Sequence, residues 1–164
     1  MTLLTIRRYP DPALKAAAEP VTNFGPELAT LAGDLYETMK AAPGVGITAP
    51  HCGILKRLTV IDLPELGGRQ TYVNPEILWF SNDVMTHTEG SVSMPGMTDE
   101  VTRPKAVRVR YQTLEGAVVE EDLESFAAIC LQHEVDQLDG IFWIQKLSRL
   151  MRERLLKKWE KTAR

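Results

Sequence analysis

The sequence predicts an α+β fold, and three observations predict it. Short β-rich segments form a block in the middle of the chain. Helices with an apolar period of three and four residues stand before and after that block. One of them begins apolar almost all round, as Phe126-Ala127-Ala128-Ile129-Cys130-Leu131, and a helix of that kind belongs in the middle of a domain. The 164 residues are about the size of one domain, assigned to 1–164, because no Gly/Ser/Pro-rich linker and no repeat divides them.

The first helix is expected from about Pro26 to Ala42. Leu28, Leu31, Leu35 and Met39 fall on one face, Pro26 suits the first turn, and Pro43-Gly44 suits the end. Strands are expected at Leu58–Leu63, Gln70–Val73 and Ile77–Phe80, each bounded by turn residues. Val107, Val109 and Tyr111 alternate with Arg108 and Arg110, as in a half-buried strand. Ala117–Glu121 pairs with that strand across a turn at Leu114-Glu115-Gly116. The second helix spans about Ser125 to Leu138. The last runs from about Leu147, with a stripe of Leu147, Leu150, Met151, Leu155 and Trp159.

Composition narrows the function. Hydrophobic residues make up 44% and charged residues 25%, an ordinary globular balance. The net charge of −3 disfavours a specific nucleic-acid binder, and no apolar run approaches the ~20 residues of a membrane span. The N-terminus places its charges after its apolar residues, the reverse of a signal peptide. With Cys52 and Cys130 forming no framework pattern, a reduced, cytoplasmic protein is expected. Charge is uneven. Lys146 to Arg164 carries eight Lys/Arg and two Glu, a net of +6, against −9 elsewhere. The simpler reading is a solvated helix face; the sharper one is a docking helix for an acidic partner such as RNA.

Three segments carry candidate chemistry. Gly44-Val45-Gly46-Ile47-Thr48-Ala49-Pro50-His51 follows the first helix, and its glycines permit close approach of backbone to a ligand. Taken alone, it reads as a structural turn. Glu89-Gly90-Ser91-Val92-Ser93-Met94-Pro95-Gly96 reads as a loop of small residues and lacks the spacing of a nucleophile elbow. Gln132-His133-Glu134-Val135-Asp136-Gln137 lies on the second helix, where His133 and Gln137 share a face. A zinc-hydrolase pattern would need a second imidazole at Gln137.

In this order and spacing the three segments resemble the peptide deformylases. That family's motifs read Gly-φ-Gly-φ-Ala-Ala-Pro-Gln, Glu-Gly-Cys-φ-Ser and Gln-His-Glu-x-Asp-His. Pro10-Asp11-Pro12 with Leu14 and Pro20-Val21, Val101-x-Arg103-Pro104, and Leu138-x-Gly140 extend the resemblance from about Arg8 to Leu147. It implies a peptide deformylase-like fold, with antiparallel strands around the motif-bearing helix. It also implies the family reaction, metal-dependent hydrolysis of the formyl group from N-terminal formyl-methionine. There Fe²⁺ or Zn²⁺ is held by one Cys and two His, the Glu handles the proton, and the Gln and the backbone N–H at the Cys steady the oxyanion.

Carried over by position, Glu134 matches the catalytic Glu and His133 the first His ligand. Ser91 stands at the Cys ligand, where its backbone keeps the oxyanion position. Gln137 stands at the second His ligand, His51 at the oxyanion Gln, and Thr48 replaces an Ala. Gly44, Val45, Gly46 and Val92 would line the substrate groove. A neutral Ser hydroxyl and a Gln carbonyl are poor substitutes for a thiolate and an imidazole. Losing the metal forfeits a shift of about nine pKa units in its bound water, on the order of 12 kcal/mol of activation. A lone general base contributes about 3–5 kcal/mol. The expectation is therefore no bound metal and a lost or strongly reduced deformylase activity, with peptide N-termini still able to bind.

Two alternatives stand beside this. One is an active hydrolase with an altered metal site, built from His51 and His133 with Gln137 or Cys130, or working without metal. The other is a non-catalytic module docking on the ribosome through the basic last helix. His87 reads as a strand-surface residue and Cys52 as packing. Arg103 has two readings: a surface-loop residue locked against Pro104, which is preferred, or a support for the second motif through a carboxylate such as Glu89.

Overall fold

The fold is described from a computed structural model, which covers residues 2–162. Met1, Ala163 and Arg164, at the two ends of the expected domain, lie outside the described residues. Helix α1 spans Pro26–Ala41 and strands β1, β2 and β3 are Gly46–Thr48, Leu58–Leu63 and Gly68–Phe80. Strands β4 and β5 are Val84–Gly90 and Thr98–Pro104, and β6 and β7 are Ala106–Gln112 and Val118–Glu124. Helix α2 spans Ser125–Leu138 and α3 spans Arg149–Thr162. Five strands pair antiparallel in the order β1-β2-β3-β6-β7, and β4 and β5 form a separate two-stranded sheet. Among the described residues no helix is long and apolar enough to cross a membrane.

Helix α2 is the centre. Ala127, Ala128, Leu131 and Val135 pack on Ile61, Leu63, Tyr72, Val107 and Val109 of the large sheet. Helix α1 buries Leu28, Ala32, Leu35 and Met39 against Ile47, Leu58 and Val60. This agrees with its apolar stripe, and Leu31 sits at the edge of the same cluster. Helix α3 buries Leu155 and Trp159 against Leu14, Met94, Phe142 and Trp143, and the Trp159 indole donates to the Tyr9 carbonyl at 3.1 Å.

Four expectations need correction. The segments Gln70–Val73 and Ile77–Phe80 belong to one strand, β3. Its pairing with β6 shifts register between Val73 and Glu76, at Asn74-Pro75. Pro75 has no N–H for the ladder, and Asn74 adopts φ 51 and uses its side chain to hold Val21. Turn-type residues there mark a bulge. Secondly, β7 runs on to Glu124. Thirdly, α3 begins after Leu147 because Ser148 caps it, its hydroxyl accepting from Met151 N–H at 3.2 Å. Leu150, placed in the apolar stripe, is 58% exposed. Fourthly, of the β4–β5 hairpin the sequence reading holds only His87, taken as a strand-surface residue and found half-buried. The hairpin's strands are rich in Thr, Asp and Glu, which rank low in strand propensity apart from Thr.

Candidate functional site

The three motif segments meet around one cavity of about 510 Å³. Gly44, Val45 and Gly46 form one rim, at the free edge of β1. Glu89, Ser91 and Val92 form the other, where β4 ends. Cys130, His133 and Glu134 of α2 form the floor, and His51 closes one end. Gly46 lets the carboxylate come close: a Cβ would stand 3.2 Å from Glu134 Oε1 and press on that side chain.

The site is held by a buried ionic chain. Arg103, 4% exposed, grips Glu89 through Nε at 2.6 Å and Nη2 at 2.9 Å, and reaches Asp136 through Nη1 at 2.7 Å. Lys146 stands 3.6 Å from Asp136. The preferred reading of Arg103 as a surface-loop residue is thus overturned. The register β4–β5 sets Met85 opposite Arg103 and Glu89 opposite Asp99, so Glu89 and Arg103 share the inner face of the hairpin. His87 lies on that face too, half-buried, with its ring 4.6 Å from Phe126. Asp136 carries no role in the sequence reading. The signal available was its place in the third motif, one turn from Gln132.

Glu89 Oε1 also lies 2.9 Å from His133 Nδ1. Burial would raise the Glu89 carboxyl, but hydrogen bonds from His133 and Arg103 outweigh it and hold it down at about 2. An ionised acceptor at that distance makes Nδ1 a donor and leaves Nε2 as the ring nitrogen turned to the cavity.

His51 is fixed the opposite way. It lies in a 3-10 turn, Ala49–Cys52, that Thr48 caps. The Thr48 backbone N–H donates to His51 Nδ1 at 2.9 Å, Thr48 Oγ1 is 3.0 Å from the same nitrogen, and the His51 N–H donates to Thr48 Oγ1 at 3.3 Å. A backbone N–H can only donate, so Nδ1 is the acceptor and the proton sits on Nε2. Nε2 stands 3.5 Å from Ser91 Oγ. Burial, with a smaller push from His133, lowers His51 to about 3, so the ring is neutral. The result is one neutral N–H donor aimed into the cavity.

Glu134 is 5% exposed, and its Oε2 is buried with no hydrogen-bond partner. Oε1 stands 3.8 Å from His133 Nε2 and Oε2 stands 4.0 Å from His51 Nδ1, too far for hydrogen bonds. Burial raises its carboxyl to about 7. Ser91 Oγ accepts from Ser93 N–H at 3.1 Å. Cys130 lines the cavity, and burial, then Glu134, keep its thiol protonated far above the ordinary range.

Gln137 is not at the cavity wall. Its side chain is buried one turn beyond His133 along α2, and Nε2 donates to the Leu14 carbonyl at 2.8 Å. The turn Pro12–Lys15 packs over the last turn of α2 and takes that amide. Of the three family ligand positions, His133 alone turns a nitrogen to the cavity. A new set through His51 meets the Thr48 N–H: an Nε2 lone pair would require a proton on Nδ1, facing another donor. Among the described residues no three His, Cys, Asp or Glu side chains come together as a metal site.

The comparisons with known proteins agree on the fold. A family model described as polypeptide deformylase matches residues 3–153. A protein of Brucella melitensis named peptide deformylase-like is 56% identical over 164 residues, covering 100% of both chains. A peptide deformylase of Phenylobacterium zucineum is 45% identical over 167 residues, covering 100% of this chain and 99% of that one. The crystal structure of the peptide deformylase of Ehrlichia chaffeensis in complex with actinonin superposes with a TM-score of 0.94 at 32% identity, over 100% of this chain and 99% of that chain.

Proposed function

This chain belongs to the polypeptide deformylase family, and from that membership we propose that it keeps the family's groove for peptide N-termini but not its metal-dependent hydrolysis of the formyl group. The observation that carries this reading is the Gln137 amide, which donates to the Leu14 carbonyl instead of facing the cavity. With Ser91 offering a neutral hydroxyl, His133 is left as a lone strong donor for a metal. The donor set does not fit Fe²⁺ or Zn²⁺.

Peptide binding is supported by the free edge of β1. Gly44 to Gly46 leave that edge open for an extended chain to add as a strand, with Val92 on the opposite rim. His51 Nε2–H can then donate to a peptide carbonyl, as the family's Gln amide does. The reading places the protein in the cytoplasm, where nascent N-termini are. Turnover of formyl-Met-Ala tests the loss of hydrolysis. Chemical-shift changes on adding a methionyl peptide test the groove.

A second reading, slow hydrolysis without metal, is favoured by one observation: the Glu134 carboxyl is held at about 7, suited to moving a proton at neutral pH. It would supply ~10²–10⁴-fold. Any hydrolysis of formyl-Met-Ala by the wild type should then vanish in Glu134→Gln.

A further inference from the structure

We propose that the far end of β3 is a self-complementary contact surface, through which two copies of this chain pair about a two-fold axis. It lies apart from the candidate site and stands whether or not the groove takes peptides.

Strand β3 outruns its neighbour. Its pairing with β2 ends at Val73, while its pairing with β6 continues to Phe80. The last residues of β3 therefore have a strand on one side only, and they are apolar: Ile77, Leu78, Trp79 and Phe80. Trp79 and Phe80 are each 50% exposed, Leu78 is 38% exposed, and Val84, across the turn at the start of β4, is 59% exposed. Single exposed apolar residues are ordinary; four within Leu78–Val84 mark a contact surface. Beside them lies a second cavity, of about 470 Å³, whose walls include Ile77, Phe80 and Val135 with Arg57, Asp136 and Asp139.

Two features name the occupant. First, the charges around the patch are of both signs. The exposed Asp83 and Lys105 are joined at the turn by the Lys105 N–H to the Asp83 carbonyl. Arg108 lies opposite Trp79 in register and pairs with Asp122, and Arg57 pairs with Asp139. A membrane surface or a nucleic acid would call for a basic rim. An identical patch turned by a two-fold axis can set cation against anion twice. Second, an aromatic knob and a cavity occur in one patch. An isologous contact needs both there, since each copy gives its knob and receives its partner's. Trp79 is the knob, and the cavity beside Phe80 receives it.

Backbone pairing between copies is not the mode. Ile77 faces Val109 and Trp79 faces Arg108, so Leu78 is the extra residue of a bulge that interrupts the edge. Side chains carry the contact. Half-exposed, the two aromatics offer ~100 Å² each, and with Leu78 and Val84 the patch presents roughly 300–400 Å² of apolar surface. A standard interface buries ~800 Å² a side, about 60% of it apolar. The patch falls somewhat short of that share, so the dimer is weak and forms in the micromolar range.

The test is sedimentation velocity of the full chain from about 1 to 200 μM, with tryptophan emission read over the same series. Trp143 and Trp159 are buried, so Trp79 is the indole whose emission follows the contact. The wild type should pass from monomer to dimer with a midpoint on the order of 10–100 μM, and its emission should shift to the blue as it does so. Trp79→Lys should stay monomeric throughout, at least about tenfold weaker. Leu150→Ser, at an exposed leucine of α3, should dimerise as the wild type does. A wild type that is monomeric at the top of the series overturns the proposal. So does a dimer that Trp79→Lys leaves intact, one that Leu150→Ser abolishes, or one that forms without the blue shift. Assemblies larger than the dimer also overturn it, because a two-fold contact closes on itself. The wild-type emission series decides even where a variant does not fold.

Discussion

Thr48 and His51 form one reciprocal unit: the Thr48 N–H donates to His51 Nδ1 at 2.9 Å and the His51 N–H donates back to Thr48 Oγ1 at 3.3 Å. Both positions depart from the deformylase motif that the sequence resembles. They depart together as a capping box, which fixes the imidazole as a neutral donor at Nε2. His51→Gln should remove a group that resists protonation. The folded pKa, about 3, lies below the ordinary 6.5, so the folded state binds fewer protons between those values and His51 costs stability as pH falls through them. By pH 5 the cost is about 2 kcal/mol. Denaturant unfolding at about pH 6.5 and 5 should show His51→Gln gaining on the wild type by that amount on acidification.

Glu134→Gln should tilt the same profile the other way. The folded carboxyl, at about 7, lies above its ordinary 4.5, so the folded state binds more protons in that window. Its contribution to stability rises as pH falls from 7 to 4.5 and is lost as pH rises. Over pH 6.5 to 5 this offsets the His51 cost by about the same 2 kcal/mol. Denaturation of Glu134→Gln should show a steeper acid loss than the wild type, together with higher stability at about pH 8. An unchanged slope would mean that the carboxyl is not the isolated group described.

Arg103→Met should destabilise the fold by about 3–5 kcal/mol, since it leaves Glu89 and Asp136 without their buried partner. Arg103→Lys should recover only part of this, because an ammonium cannot hold Glu89 by two nitrogens and Asp136 by a third. Thermal melts of the two variants check the order.

Gly140→Ala should also destabilise, by about 2 kcal/mol or more. Gly140 has φ 80 at the end of α2, and a Cβ would stand 2.7 Å from the Lys15 carbonyl oxygen. That contact is with backbone, so no rotamer relieves it. A melting temperature within error of the wild type would contradict the tight approach of Lys15 to the helix end.

Much of this architecture was legible in the chain. Helix α2 follows from its apolar start, α1 from Leu28, Leu35 and Met39, and β6 from the alternation of Val107, Val109 and Tyr111. Periodicity reports burial, and those elements bury a regular face. The β4–β5 hairpin was not legible because its inner face buries an ion pair, Glu89 with Arg103, in place of an apolar stripe. Asn74-Pro75 read as a break because the same residues make a turn or a bulge according to what Asn74 holds. In the site, the substitutions at Ser91, Gln137 and His51 were visible as letters. The hydrogen bond that occupies Gln137 depends on the Leu14 carbonyl, distant in sequence, and the tautomer of His51 depends on one backbone N–H. Neither is encoded in motif spacing.

The central claim is that the donor set no longer suits a metal. The most direct measurement is the metal content of the purified wild type, expressed with ample iron and zinc, beside a Ser91→Cys, Gln137→His double variant. The account predicts no stoichiometric metal in the wild type and bound metal in the variant, where a thiolate and a second imidazole join His133. Stoichiometric iron or zinc in the wild type would contradict it.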